Sequence, residues 1–150
     1  GNSSPVAVPA KGEYMDRDMA RCAERYGIPF ALNPHFPVKT LILQRAAIAL
    51  LNDGGEDALR PFLDACFQAL WIDRKNMGSS AVAAETLSAA GFDPEDLMAR
   101  ASDPVIKEKL KANTDGAVGR GVFGAPTFFV CEEMYFGQDR LDYVEDALAA

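Results

Sequence analysis

Apolar residues recur at helical spacing over most of the chain. Residues 1–12 contain prolines and glycines without an apolar period, which predicts an irregular loop. A helix is then predicted from Glu13, and Gly27 followed by Pro29 predicts its end. One face of this amphipathic helix contains Met15, Met19, Cys22, Ala23 and Tyr26.

Two longer apolar segments follow this first helix. Residues 40–51 are mostly apolar, which predicts a helix buried on most sides that ends at residues 52–55. Residues 56–71 place their apolar side chains on one face and form a second predicted helix. Pro61 either begins the regular part of that helix or kinks it.

Shorter helices occupy the middle of the chain. Residues 80–90 form one, and the pairs Asp93-Pro94 and Asp103-Pro104 each begin another. In both pairs an acidic N-cap precedes a proline in the first turn, where the missing N–H costs nothing. The middle of the protein is therefore predicted to be entirely helical.

The pattern changes after residue 120. Residues 127–131 and 134–136 favour β-structure and predict a hairpin that turns at Glu132 and Glu133. A last helix is predicted over residues 141–149. Its expected buried residues are Leu141, Val144 and Leu148. A two-stranded hairpin is marginal alone, so the sheet looks incomplete.

Composition narrows the class of protein. With 150 residues and 49% hydrophobic residues, one domain with a real core is expected. The longest apolar run, residues 46–51, is far below the roughly 20 residues of a membrane span. A net charge of −7 argues against a nucleic-acid partner.

Cysteine and histidine usage argues against a disulfide framework and a metal site. The three cysteines are scattered and form no CxxC pair. The single histidine, His35, has no cysteine at ligand spacing and is interpreted as a loop residue. A reducing cytoplasm fits this pattern best.

Two C-terminal motifs carry a family resemblance. Residues 121–129 read Gly-Val-Phe-Gly-Ala-Pro-Thr-Phe-Phe, and residues 136–141 read Phe-Gly-Gln-Asp-Arg-Leu. With Pro-Ala-Lys-Gly-Glu-Tyr-Met at residues 9–15, they resemble the 2-hydroxychromene-2-carboxylate isomerases and kappa-class glutathione transferases of the DsbA-like thioredoxin superfamily. Further matches are Asp18, Arg21, Phe36-Pro37 and Asn113-Thr114.

The resemblance implies an α/β, thioredoxin-like fold of the DsbA/kappa type with an all-helical insertion. The family's N-terminal strand–helix–strand unit has no counterpart here, so the chain is expected to be a fragment. Residues 1–12 are then a glutathione-site loop, residues 13–120 the helical insertion, and residues 121–150 the C-terminal ββα part. All three are expected to form one structural unit.

The resemblance also implies where glutathione binds. The family's proline at the position of Pro126 is cis, and the backbone of Ala125 then pairs with the extended tripeptide. The turn at Gly137 holds the γ-glutamyl end, with Gln138 taking the carboxylate and Asp139 the ammonium. Without the resemblance, Asp139 is a plain N-cap and Ala125-Pro126 merely begins an edge strand.

Four more residues receive roles from the resemblance alone. Asn2 and Lys11 match family residues that contact the tripeptide backbone and its glycyl carboxylate. Lys11 supplies the local cation that an acidic protein needs for an anion. Phe36 and Trp71 match aromatic positions facing the substrate, although Trp71 can equally be a core residue. No metal ligand is implied.

The function implied is glutathione-dependent isomerisation of 2-hydroxychromene-2-carboxylate-type aromatic pyruvates by transient thiol addition. Glutathione is the cofactor, the partner is a small aromatic substrate, and a homodimer is expected. The family's catalytic serine belongs to a Ser-Pro pair upstream of this sequence, and Ser4-Pro5 does not match it. No catalytic residue and little activity are therefore expected of this chain alone.

Three alternatives stay open at this point. A kappa-like glutathione transferase or peroxidase uses the same glutathione site with another substrate pocket. A DsbA-like dithiol oxidoreductase needs a CxxC pair, which could lie only in the missing segment. A catalytically silent interaction module is the third.

Overall fold

Helices dominate residues 8–150, the part of the chain that this computed structural model describes. The chain divides into two compact units, Gly1–Lys107 and Glu108–Ala150. The elements in chain order are α1 (Pro9–Tyr26), α2 (Leu41–Trp71), α3 (Ser80–Ala89), α4 (Pro94–Ser102), α5 (Pro104–Gly119), β1 (Thr127–Val130), β2 (Glu133–Phe136), a 3-10 turn (Gln138–Arg140) and α6 (Leu141–Ala149).

Helix α1 begins earlier than the sequence pattern predicts. It begins at Pro9 rather than Glu13, and the N–H groups of Lys11 and Gly12 donate to the Val8 carbonyl at 2.9 and 3.0 Å. A proline is well suited to the first helical position because its fixed φ is already helical. Its C-terminal end at Gly27, in the left-handed conformation with φ 63°, is confirmed.

Helix α2 joins two segments that the sequence predicts as separate helices. Residues 52–54 remain helical, and the break falls on Gly55, with φ 65° and ψ −155°. Helical backbone resumes directly afterwards and runs through Pro61. The kink therefore comes from a glycine conformation that other residues rarely adopt, not from the proline.

The core of the first unit lies where α2, α3 and α4 pack together. Its largest fully buried side chains are Phe62, Met77, Leu87 and Leu97. Alanines complete it, and their small side chains allow the helices to approach closely: Ala46, Ala69, Ala83 and Ala101. Among residues 8–150, no helix is both long enough and apolar enough to span a membrane.

An aspartate lies at the N-terminal end of α4 and another at that of α5, as predicted. The Asp93 carboxylate accepts from the N–H groups of Glu95 and Asp96 at 2.9 and 3.2 Å. The Asp103 carboxylate accepts from the Val105 N–H at 2.7 Å. These contacts satisfy N–H groups that have no partner within the helix.

The second unit contains the hairpin and α6. Strands β1 and β2 pair antiparallel, with Thr127 opposite Phe136 and Val130 opposite Glu133. The turn falls one residue earlier than predicted, because Cys131 adopts φ 52°. Helix α6 contacts β1.

The predicted burial of the last helix is wrong at two positions. Leu141 is 49% exposed and Leu148 is 72% exposed, while Val144 is half-buried. Periodicity identifies an apolar face, but burial also requires a surface to cover it. Within the described residues the sheet that contacts α6 has two strands, which is too narrow to cover both leucines.

Replacing Phe62 by alanine should destabilise the protein by about 3–5 kcal/mol, because a fully buried ring leaves a cavity. Phe62 is 1% exposed and packs edge-on against Phe92 at 5.7 Å between ring centroids. Phe67 lies on the same helix but is 59% exposed, so Phe67→Ala should cost less than about 1 kcal/mol. Urea unfolding followed by circular dichroism measures both free energies. Equal losses in the two variants would contradict this placement of the core.

Candidate functional site

The two C-terminal motifs are brought together in the second unit. The Ala125–Pro126 peptide bond is cis, as predicted. The Gly137 N–H donates to the Pro126 carbonyl at 3.0 Å, and the Thr127 hydroxyl donates to the Gly124 carbonyl at 2.7 Å. Ala125 and Pro126 are both exposed. The predicted cis bond is therefore confirmed, and the exposed residues Ala125 and Pro126 lie beside the Gly137 turn.

The Ala125 backbone is free to pair with a ligand. Among residues 8–150, neither its N–H nor its carbonyl makes a hydrogen bond within the chain. Backbone groups at a sheet end that lack partners are the groups an extended peptide uses when it adds to a strand.

Gly137 occupies a position that only glycine fits. Its backbone has φ 106° and ψ 149°. A Cβ added there would lie 2.5 Å from the Asp139 Oδ1 atom. The Asp139 carboxylate thus lies over the Cα of Gly137, in space that a Cβ at residue 137 would occupy.

The Asp139 carboxylate pairs with its chain neighbour. Arg140 Nη1 lies 2.7 Å from Asp139 Oδ2, and the two side chains are 49% and 61% exposed, in that order. Asp139 does not cap a helix: Gly137 precedes the 3-10 turn, and Arg140 precedes α6. The plain N-cap interpretation of Asp139 is therefore wrong. Gln138, between them, is exposed.

The two residues predicted to hold the rest of glutathione stand apart from this turn in sequence. Lys11 lies in the first turn of α1, in the first unit, and is exposed. Its ammonium group makes no ion pair with any residue from 8 to 150. Asn2 lies outside the described residues.

Three aromatic rings gather at the end of α2, in the first unit. Trp71 stacks on Phe30 with 5.9 Å between centroids and contacts Phe36 at 5.7 Å with a 45° tilt. Trp71 is half-buried, and Phe36 is 47% exposed. The structure thus brings the two predicted substrate-lining residues into contact. Trp71 is not part of the buried core, and it is not fully exposed either.

The sequence analysis did not identify Asn33, which connects the loop carrying Phe30 and Phe36 to the end of α2. Asn33 is 3% exposed, and its amide nitrogen donates to the carbonyls of Leu70 and Lys75 at 2.8 and 2.9 Å. The only signal in the sequence is an asparagine before a proline in an interhelical loop, which is usually a turn residue.

The three cysteines differ in burial, and the buried one is a poor nucleophile. All three are free thiols, with Cys66 buried, Cys22 half-buried and Cys131 exposed. Burial raises the pKa of Cys66 to about 11, so this thiol stays protonated at neutral pH and is a poor nucleophile. Within residues 8–150 no cluster of histidine, cysteine and acidic side chains could hold a metal ion.

The chain is similar to known proteins over nearly its whole length. The family of DSBA-like thioredoxin domains matches residues 1–149. The 2-hydroxychromene-2-carboxylate isomerase of Pseudomonas putida is 28% identical, over 99% of this chain and 71% of that protein. Glutathione S-transferase kappa 2 of Caenorhabditis elegans is 30% identical, over 97% of this chain and 69% of that protein.

A solved structure extends the match to three dimensions. The structure of a 2-hydroxychromene-2-carboxylate isomerase superposes with a TM-score of 0.82 at 26% identity, over 99% of this chain and 70% of the other. The chain therefore belongs to the family of DsbA-like thioredoxin domains. The predicted thioredoxin-like fold is confirmed, with many helices and a two-stranded sheet in the described residues.

Replacing Gly137 by alanine should destabilise the protein by about 1–3 kcal/mol, because its backbone conformation is nearly exclusive to glycine and the new Cβ displaces Asp139. Gly116→Ala is the matched control. It lies inside α5 with nothing within 4 Å of the added Cβ, so the same change should stabilise by about 0.5–1 kcal/mol. Urea unfolding measures both. A neutral Gly137→Ala would show that the turn has another conformation in solution.

Proposed function

We propose that this DsbA-like thioredoxin-fold protein is a glutathione-dependent isomerase of 2-hydroxychromene-2-carboxylate-type aromatic pyruvates. The observation that carries the proposal is the exposed Ala125 backbone, fixed beside the Gly137 turn by the 3.0 Å hydrogen bond from Gly137 to Pro126. The names of the relatives, which are isomerases and glutathione transferases, support an enzyme of this kind.

In this proposal glutathione lies extended along Ala125 and Pro126. Its peptide N–H and carbonyl groups pair with the unpaired backbone groups of Ala125, in the manner of an added strand. Two or three main-chain hydrogen bonds fix the direction of the tripeptide without requiring a particular side chain. This mode of binding suits a ligand that is itself a short peptide.

The γ-glutamyl end of glutathione carries a carboxylate and an ammonium on the same carbon. The ammonium binds the Asp139 carboxylate, and the carboxylate binds the backbone and side chain of Gln138. The exposure of both residues leaves them accessible. The N–H groups at the start of the 3-10 turn and α6 favour a negative charge there.

Two further contacts complete the proposed binding of glutathione and substrate. Lys11, exposed and without an ion pair among the described residues, binds the glycyl carboxylate, and Asn2 binds the tripeptide backbone. The exposed face of Phe36, supported by Trp71, stacks on the aromatic substrate.

The proposed reaction is reversible thiol addition. The glutathione thiolate forms a bond to a carbon of the conjugated double bond, whose electron pair moves toward the carbonyl. The former double bond is then single and rotates, after which the thiolate leaves and the double bond re-forms. Covalent addition replaces one difficult rotation with easier steps. No residue of this chain is assigned as the group that stabilises the thiolate.

Location and assembly belong to the same proposal. We place the protein in the cytoplasm, because three free cysteines fit a reducing compartment. A homodimer is proposed because apolar side chains of α6, notably Leu148 at 72% exposure, lack cover within the described residues.

A kappa-like glutathione transferase or peroxidase is the second candidate, favoured by the 30% identity to the kappa transferase of Caenorhabditis elegans. It shares the glutathione site and differs in the substrate. A dithiol oxidoreductase is disfavoured, because residues 1–150 contain no CxxC pair and burial raises the pKa of Cys66.

Asp139→Ala and Lys11→Ala should each weaken glutathione binding by about 1–3 kcal/mol, the usual cost of losing a charge-assisted hydrogen bond. Isothermal titration calorimetry measures the affinities. Asp115→Ala and Lys111→Ala are matched controls, since these residues form an exposed pair in α5 at 2.8 Å and are given no role with glutathione. Unchanged affinity in both test variants would mean that the binding roles are wrong.

Residues 1–150 alone should give little turnover of a 2-hydroxychromene-2-carboxylate, because none of them is assigned to stabilise the thiolate. A version that supplies the family's Ser-Pro pair ahead of residue 1 should isomerise it only when glutathione is present, and Asp139→Ala in that version should lower kcat/KM in proportion to its loss of glutathione affinity. Absorbance of the substrate follows the reaction. Conjugation of glutathione to 1-chloro-2,4-dinitrobenzene, measured in parallel, tests the alternative. Isomerisation that continues without glutathione would refute the thiol mechanism, and conjugation without isomerisation would favour the transferase.

A further inference from the structure

A cavity of about 480 Å³ lies in the first unit, between the end of α1, the loop that follows it and the last turns of α2. This volume suits a small molecule of one or two rings. Its apolar lining consists of Met19, Ile28, Phe30, Phe67, Trp71 and Ile72. Phe36 does not line it but Trp71 does, so the cavity adjoins the surface proposed above for the substrate and shares one ring with it.

The walls of the cavity are fixed by backbone hydrogen bonds. The Ile28 N–H donates to the Ala23 carbonyl of α1 at 2.9 Å, and the Ala31 N–H donates to the Trp71 carbonyl at 2.7 Å. The loop is thus attached to both helices. Phe30, between these two attachments, is stacked on Trp71 with 5.9 Å between ring centroids.

Two side chains of the cavity leave apolar surface exposed. Phe67 is 59% exposed and Ile28 is 57% exposed. A ligand that covers them removes apolar surface from water, and an aromatic ligand can also stack on Phe67 or Trp71.

The charged group at the cavity is an exposed carboxylate. Asp64 and Gln68 lie one turn apart on α2. The Gln68 amide nitrogen donates one hydrogen to the Asp73 carboxylate at 2.9 Å and keeps a second N–H, so this amide can still donate as well as accept. The Asp64 carboxylate makes no ion pair or hydrogen bond with any residue from 8 to 150. Asp64 is the only charged residue among those described in the lining, so a ligand that pairs with it carries a donor or a positive charge.

We propose that this cavity binds a small aromatic amine, with its ring against Phe67 and Trp71 and its ammonium group at the Asp64 carboxylate. A cation near the face of Trp71 gains a further attraction from the ring. The negative carboxylate and the net charge of −7 select against anions, including aromatic carboxylates. The inference does not rest on glutathione binding and stands or falls separately from the proposed isomerase activity.

The protein carries its own reporter for this site, because Trp71 is its only tryptophan. Three probes share one ring and a two-carbon linker: 2-phenylethylamine, 2-phenylethanol and 3-phenylpropionate. Titration of each at neutral pH, followed by tryptophan fluorescence and repeated by calorimetry, gives the order of affinity. The amine should bind about fivefold or more tightly than the carboxylate, with the alcohol between them.

Paired variants test the two contacts separately. Asp64→Asn should abolish the preference of the amine over the alcohol, whereas Asp57→Asn, an equal charge change on the same helix outside the cavity lining, should leave it intact. Phe67→Ala should weaken all three probes about tenfold. Phe123→Ala is its control, because Phe123 has a similar exposure of 58% and lies in the second unit.

Three results would overturn the proposal. One is a carboxylate that binds as tightly as the amine, and another is an Asp64→Asn variant that keeps the amine preference. The third is sedimentation showing that two copies of the chain associate through this face, with Phe67→Ala dissociating them and no probe binding in either form. In that case the occupant is a second copy rather than an amine.

Discussion

One buried amide connects the end of α2 to the loop before it. Asn33 donates to the carbonyls of Leu70 and Lys75, and its own oxygen accepts from the His35 N–H at 2.9 Å. The last carbonyls of a helix have no partner inside the helix, and buried ones must find one elsewhere. Here a single side chain from a distant part of the sequence bonds one of them, the Leu70 carbonyl, and also the Lys75 carbonyl in the loop after the helix. The path of the loop is thereby fixed relative to the helix end.

The position of the aromatic rings follows from this connection. With the loop held, Phe30 and Phe36 both contact Trp71, at 5.9 and 5.7 Å. The same loop therefore shapes two surfaces: the cavity wall at Ile28 and Phe30, and the exposed ring of Phe36. Asn33 bonds backbone groups rather than the rings, so its contribution is to hold the loop that carries Phe30 and Phe36 next to the end of α2.

Local chemistry made much of this fold predictable. The caps at Asp93 and Asp103 were foreseeable because each depends on residues within a few positions. Pro9 was misjudged because proline favours both loops and first helical turns, and only the flanking backbone decides. The burial of Leu148 could not be predicted, because it depends on what covers the helix. In the candidate site, the sequence motifs predicted that the Ala125–Pro126 segment lies beside the Gly137 turn. They did not predict that the Asp139 carboxylate is already paired with the Arg140 guanidinium.

The ion pair between Asp139 and Arg140 affects how a glutathione site at this turn would work. The Asp139–Arg140 pair is exposed on both sides, and such pairs contribute only about 0–1 kcal/mol. An arriving ligand ammonium replaces one cation with another at the same carboxylate, so the exchange costs little. In the proposed site, the released Arg140 guanidinium would then lie beside the ligand carboxylate that is attached to the same carbon as that ammonium. Ligand binding itself would thus make a cation available in a protein of net charge −7.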